Sequence, residues 1–163
     1  MPKVQKTADV VEAARPLEHG TISEGSVEFR VPSDPKILKI IRGGIAHLCE
    51  LIGFSEPESK SIMLAVDEAC SNIMKHTYAG AVNRPIVVSC SMLGNGIKVV
   101  LRDVGKKVSK HKIKARELDE VRPGGLGVHI IQSVMDEVFY DDACTQGNCL
   151  TLIKYLQHKK EDL

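Results

Sequence analysis

The sequence predicts an α/β two-layer sandwich: a mixed, mostly antiparallel sheet covered on one face by three helices. Three observations carry that prediction. Two β-rich runs, Ile86 to Leu93 and Ile97 to Arg102, flank Gly94-Asn95-Gly96, the signature of a tight hairpin. The stretch from Leu64 to Tyr78 is helical by its period: with Ile62, the residues Val66, Ala69, Ile73 and Thr77 fall on one side as a buried stripe. Glu137 to Tyr140 and Leu150 to Tyr155 form a second antiparallel hairpin, joined through Asp141 to Asn148.

Taken in order, residues 1–25 read as an N-terminal tail or extension, 26–156 as one globular domain and 157–163 as a polar C-terminal tail. Ser26 to Val31 alternates apolar and polar residues, the period of a strand with one buried face. Pro32-Ser33-Asp34-Pro35 stops that strand and opens a helix, with Ser33 expected as the N-cap. Ile37, Ile41, Ile45, Leu48 and Ile52 supply its apolar stripe and Gly53 its stop. Gly43-Gly44 inside it cost about 1 kcal/mol each relative to Ala, so either the helix kinks or another backbone packs close. Ser55-Glu-Pro-Glu58 is a capping box that opens the central helix, closed by Gly80. Between Lys106 and Arg122 the chain turns basic, and Pro123-Gly-Gly-Leu-Gly127 leads into a third helix, Val128 to Met135, with Ile131 and Met135 inward.

At 163 residues the chain can bury a core without covalent staples. A formal net charge of +1 provides no overall drive toward nucleic acid or a membrane surface. The five cysteines form no C-x-x-C pair and suit reduced thiols used as small hydrophobes. No signal peptide and no apolar run of about 18 residues is visible, so the expected location is the cytoplasm.

Glu68, Asn72 and His76 recur at four-residue spacing, a polar row along the flank of the central helix's stripe, with the small Ala65 and Ala69 beside it. Alone, such a row is an ordinary solvated flank. A carboxylate and a carboxamide one turn apart also suit taking a proton from a hydroxyl and holding a hard cation through oxygen. The Gly124-Gly-Leu-Gly127 turn lets backbone N–H groups approach an anion at a helix N-terminus, phosphate being the natural candidate. It is not a P-loop, because G-x-x-x-x-G-K-[ST] is missing, and it follows a charged loop rather than a strand, which excludes the dinucleotide-binding fingerprint.

Three pieces thus stand in one order: Glu68-x3-Asn72-x3-His76 on a helix, Asp103-x-Gly105 at a strand end, and Gly124-Gly-Leu-Gly127 opening a helix. From about Val27 to Tyr155 this resembles the GHKL (Bergerat) ATP-binding fold, and within it the anti-sigma factor serine-protein kinases, which Met135-Asp-Glu-Val138 also resembles. The resemblance implies a histidine-kinase-like ATPase domain over 26–156, with ATP and Mg2+ between the helices and a flexible lid formed by the basic segment. It implies Glu68 as general base, Asn72 as the Mg2+ holder, Asp103 as acceptor for the adenine amino group, and Gly105 beside the base. Gly125, Leu126 and Gly127 would sit beside the phosphates, and His76 matches the pattern with no role assigned.

Two departures stand out. Lys107 replaces the second glycine of the usual D-x-G-x-G box, and Gly147 is followed by Asn148 and Cys149, with Thr151 displaced, where the family has Gly-Thr. The implied partners are a sigma factor or similar regulator and, as phosphorylation substrate, an anti-sigma-factor antagonist of the STAS type. A homodimer is implied as well, but no direct contact with nucleic acid or membrane. The rivals are a non-catalytic ATP-binding module that sequesters a partner, a detached histidine-kinase catalytic domain, and metal binding by Cys144, Cys149 and His129.

Overall fold

The computed structural model describes residues 25–108 and 125–157. The chain ends and the body of the basic segment, with Gly124, lie outside the described residues. Five strands, β1 (Ser26–Pro32), β2 (Pro85–Leu93), β3 (Gly96–Asp103), β4 (Glu137–Tyr140) and β5 (Cys149–Tyr155), form one sheet in the order β1-β2-β3-β5-β4. All four pairings are antiparallel, a simpler sheet than the mixed one expected. Strands β3 and β4 do run the same way, as a helical crossover requires, but β5 returns between them and removes the parallel pairing.

Register explains which face is buried. Val27, Cys90, Val99, Leu152 and Val138 lie side by side across the sheet, and Phe29, Val88, Leu101, Leu150 and Tyr140 form the next inner row. Along β3, Ile97, Val99 and Leu101 occupy alternate inner positions, and the fourth of the series is Asp103, only 5% exposed. The period-2 pattern therefore buries a carboxylate at the end of an apolar row.

The helices α1 (Leu38–Ile52), α2 (Glu56–Asn72) and α3 (Leu126–Val134) cover that face, with α2 packed against both others. Ile41, Ile45, Ile62, Val66 and Ala69 join the sheet residues in one core. Helix α2 has the expected capping box: Ser55 Oγ accepts from the Glu58 N–H, and the Ser55 N–H donates to Glu58 Oε2 at 2.8 Å. Gly53, at φ 102°, ends α1 as expected.

Helix α1 runs unbroken through Gly43-Gly44, and the close neighbour at Gly44 is the Phe29 ring, 3.0 Å at Cε1 from where a Cβ would stand, rather than a backbone. Ser33 is not the cap. Asp34 caps a short 3-10 turn, Pro35–Ile37, through Lys36 N at 3.0 Å. Ser33 is buried and tied across the chain, donating to the Ala81 carbonyl and accepting from Arg84 N at 3.1 Å. Cys49, Cys70, Cys90 and Cys149 are buried free thiols, and burial pushes Cys70 and Cys90 up to about 12, so they pack as small hydrophobes.

Candidate active site

The α-helical ladder of α2 stops at Asn72 and is followed by a π-helical turn, Ile73–Thr77. A wider turn changes the angular step, so His76 and Thr77 come to face the space between α2, β3 and α3 instead of continuing the apolar stripe. Thr77, expected in the buried stripe, is half-buried at the wall of that space. The next residue, Tyr78, is buried. Its hydroxyl donates to the Pro85 carbonyl and accepts from Val104 N at 2.9 Å, while Arg84 sits over its ring at 5.5 Å. Tyr78 thus fixes the exit of β3 to the end of the central helix.

The enclosed space is a cavity of about 200 Å3. Asn72 and His76, from the end of α2, meet Gly125 and Val128 from α3 there, and Asp103 and Asn148 line it too. Apolar walls come from Leu101, Ile131 and Leu150. It is a mostly apolar cavity with a buried carboxylate in its wall, the chemistry that suits a purine base with an exocyclic donor.

In that wall Asp103 Oδ1 accepts from Gly105 N at 2.9 Å, closing an Asx turn, and from Asn148 N at 3.3 Å and Nδ2 at 3.0 Å. Among the described residues Oδ2 receives only Asn148 Nδ2 at 3.3 Å, so it keeps the greater spare accepting capacity. Burial raises the Asp103 carboxyl above the ordinary aspartate value of 3.8, against the opposing pull of those N–H donors. Gly105 is required because a Cβ there would collide with Thr77 Cγ2. Gly147, at φ 67°, is required twice over: its backbone is left-handed, and a Cβ would collide with the Asp103 carbonyl.

Glu68 and, one turn on, Asn72, which lines the cavity, converge on Gly127, in the first turn of α3. A Cβ on Gly127 would lie 2.5 Å from Glu68 Oε2 and 3.7 Å from Asn72 Oδ1. The helix begins at Leu126 with Gly125 as N-cap, two residues earlier than Val128, so Leu126 and Gly127 belong to the turn whose N–H groups lack intrahelical acceptors. Two side-chain oxygens and a positive helix end therefore meet at one place, which suits a phosphate chain and a hard cation. Among the described residues no cluster of three or more His, Cys, Asp or Glu could hold a metal, so Cys144, Cys149 and His129 do not form one.

The predicted residues are thus brought together in two groups, Glu68, Asn72, Gly125, Leu126 and Gly127 where α2 meets α3, and Asp103 and Gly105 at the end of β3; Asn72, His76, Asp103 and Gly125 line one cavity. Lys107 is directed to an adjacent groove of about 800 Å3, shared with His76, Arg84 and Lys106. Sequence reasoning missed Tyr78 and gave Asn148 no role. The signal for Asn148 was its place after Gly147, where the resembled family has Thr.

Comparison with known proteins bears on the family and the fold. Residues 31–154 match the histidine kinase-like ATPase domain. The serine-protein kinase RsbW of Staphylococcus aureus (strain bovine RF122 / ET3-1) is 31% identical over 150 residues, 86% of this chain and 91% of that protein. RsbW of Bacillus subtilis (strain 168) is 24% identical over 144 residues, 83% and 89% of the two chains. The crystal structure of the RsbU and RsbW domains of a Mycobacterium tuberculosis protein matches the fold with a TM-score of 0.59 at 17% identity. That match covers 80% of this chain and 32% of the longer one, about a third of its length. With the domain matched over most of its length and a relative at 31% identity covered almost end to end, this chain belongs to the histidine kinase-like ATPase family, in the branch of the RsbW serine-protein kinases.

Proposed function

We propose that the protein is an anti-sigma factor and serine-protein kinase of a partner-switching system, which transfers the γ-phosphoryl group of ATP to a serine of a STAS-type antagonist. The observation that carries this is the convergence of Glu68 Oε2 and Asn72 Oδ1 on Gly127, with Asn72 and the buried Asp103 both lining one cavity. Phosphoryl transfer needs positioning and charge neutralisation more than covalent chemistry from the protein.

Asp103 Oδ2 accepts from the adenine amino group, and the Leu101, Ile131 and Leu150 walls exclude water from the base. The first-turn N–H groups of α3 bind phosphate oxygens. Asn72 Oδ1 is the protein oxygen suited to Mg2+, which when bound neutralises phosphate charge. Glu68 accepts the proton of the attacking serine hydroxyl as its oxygen bonds to the γ-phosphorus. The bond to the β,γ-bridging oxygen breaks and ADP departs. In its unswitched state the protein holds a sigma factor or similar regulator. A homodimer and a cytoplasmic location belong to the same proposal, in keeping with the fact that no described helix is long and apolar enough to cross a membrane.

The test is incubation with γ-labelled MgATP and a candidate antagonist, with Glu68→Ala alongside. An acid-stable label on the antagonist, lost with the variant, is expected. Acid-labile label would indicate phosphohistidine chemistry instead, and tight ATP binding without label would indicate the non-catalytic module.

A further inference from the structure

Cys49, Cys70 and Cys90 lie in the core with no exposed surface, out of reach of a dissolved reagent. Cys144 and Cys149 are placed differently. Cys144 is half-buried in the turn that joins β4 to β5, and Cys149 is the first residue of β5.

The backbone brings these two together. Asp141 N donates to the Cys149 carbonyl at 2.8 Å, which carries the β4 to β5 ladder one pair past Tyr140 and Leu150. The chain then turns back on itself: Ala143 N donates to Asp141 Oδ1 at 2.8 Å, and Cys144 N to the Asp141 carbonyl at 3.4 Å. Cys144 is thus tied to the residue that is itself bonded to Cys149. Its side chain stands beside the Cys149 thiol, on the sheet face opposite the helices, where Cys149 is paired with Arg102 of β3. Burial raises the Cys149 thiol above its ordinary value, and the neighbouring Arg102 guanidinium pulls the other way. Cys144 is therefore the thiol an oxidant in solution meets first, and Cys149 the one placed to answer it.

The turn between the two sulfurs leads to Asp103. The Gly147 backbone lies against the Asp103 carbonyl with no room for a Cβ, and the Asn148 carbonyl accepts from Asp103 N at 3.1 Å. Cys144 Sγ donates to the Gln146 carbonyl at 3.5 Å. A disulfide sets its sulfurs about 2 Å apart, closer than any non-bonded contact, and removes the thiol hydrogen from that bond. Cys149 is held in the ladder, so the adjustment falls on Cys144 and on the Gln146-Gly147 turn.

We propose that Cys144 and Cys149 are a redox modification site: hydrogen peroxide converts them to an intramolecular disulfide, which shifts the Gly147 turn against Asp103 and lowers affinity at the cavity. The Cys144 sulfur bonds to one peroxide oxygen as the O–O bond breaks, giving a sulfenic acid and water. The Cys149 sulfur then bonds to the Cys144 sulfur, the S–O bond breaks, and a second water leaves. Two thiols lose two electrons and two protons, and one peroxide becomes two waters. The effect on the cavity rests on the nucleotide-binding assignment made above; the disulfide does not.

The test is brief exposure of the reduced full chain to hydrogen peroxide, followed by alkylation and peptide mapping and, in parallel, by MgATP calorimetry. Trypsin leaves Cys144 and Cys149 in one peptide, apart from the other cysteines. That peptide should lose two hydrogens, resist alkylation and recover with dithiothreitol, and Cys144→Ser should yield no such species. The oxidised wild type should bind MgATP about three- to tenfold more weakly than the reduced form, with recovery on reduction, whereas peroxide should leave the affinity of Cys144→Ser where it was.

Peroxide that leaves both thiols free, carries Cys144 to a sulfinic acid without a disulfide, or links two chains would overturn the proposal. A disulfide with unchanged MgATP affinity would overturn its effect on the cavity. A reduced chain that binds no MgATP would remove the nucleotide assignment, and the peptide map would still decide the disulfide.

Discussion

Around Asp103, backbone and side chains are locked to one another by hydrogen bonds through Gly105, Asn148 and Tyr78, whereas around Glu68 two side chains meet α3 by close approach to Gly127. Among the described residues neither Glu68 nor Asn72 makes a side-chain hydrogen bond. The contrast separates two tasks. Under the proposed function, the Asp103 carboxylate that would read the base is buried before any ligand arrives, so the protein must satisfy it permanently. Under the same proposal, Glu68 and Asn72 would meet a phosphate chain, a cation and a serine hydroxyl, and so keep their acceptors open until those arrive.

Substitutions can break the two groups apart. The largest effect on chemistry should come from Glu68→Ala, with transfer slowed by about 100- to 10,000-fold while MgATP affinity stays near wild type, as read by single-turnover labelling and calorimetry. The largest effect on stability should come from Gly147→Ala, where left-handed backbone and the Asp103 carbonyl both oppose a Cβ. A loss of about 2–3 kcal/mol in urea unfolding is expected, with ATP binding weakened in parallel.

Tyr78→Phe should cost about 1–3 kcal/mol by stranding the Val104 N–H and the Pro85 carbonyl. Gly127→Ala should differ in kind: its Cβ meets the mobile end of Glu68 rather than backbone, so the fold should survive with under about 1 kcal/mol lost while transfer slows.

The smallest effect concerns pH. Burial raises the folded Asp103 carboxyl above its ordinary 3.8, so between 3.8 and the raised value the folded state binds more protons than the unfolded one. Asp103 therefore detracts from stability above the folded pKa, and the penalty is relieved as pH falls through it toward 3.8. Comparing Asp103→Asn with the wild type by thermal melts should show their stability difference move in the variant's favour at neutral pH and shrink on acidification.

The parts of this design written in local pattern were legible in the sequence. The Gly94-Asn95-Gly96 hairpin, the Ser55–Glu58 capping box and the Glu68-Asn72-His76 row each depend on neighbours within a turn or two. Asp103 was legible too, as the acidic residue that ends the hairpin's second strand. What was not legible depends on distant chain. The π turn after Asn72 changes the facing of His76 and Thr77 without any proline or glycine to announce it. Asn148 is defined by Asp103, forty-five positions away, and Tyr78 by Val104, twenty-six away. Ser33 has the composition of a cap, but its contacts with Ala81 and Arg84 lie about fifty positions on, and they won over the local preference.

The most direct test of the two-part site is calorimetry of MgATP with Glu68→Gln and Asp103→Asn side by side, each checked for folding and for transfer. The account predicts that Asp103→Asn loses ATP affinity by at least about tenfold while Glu68→Gln binds as the wild type does and fails to transfer. Affinity lost in Glu68→Gln and kept in Asp103→Asn would contradict it.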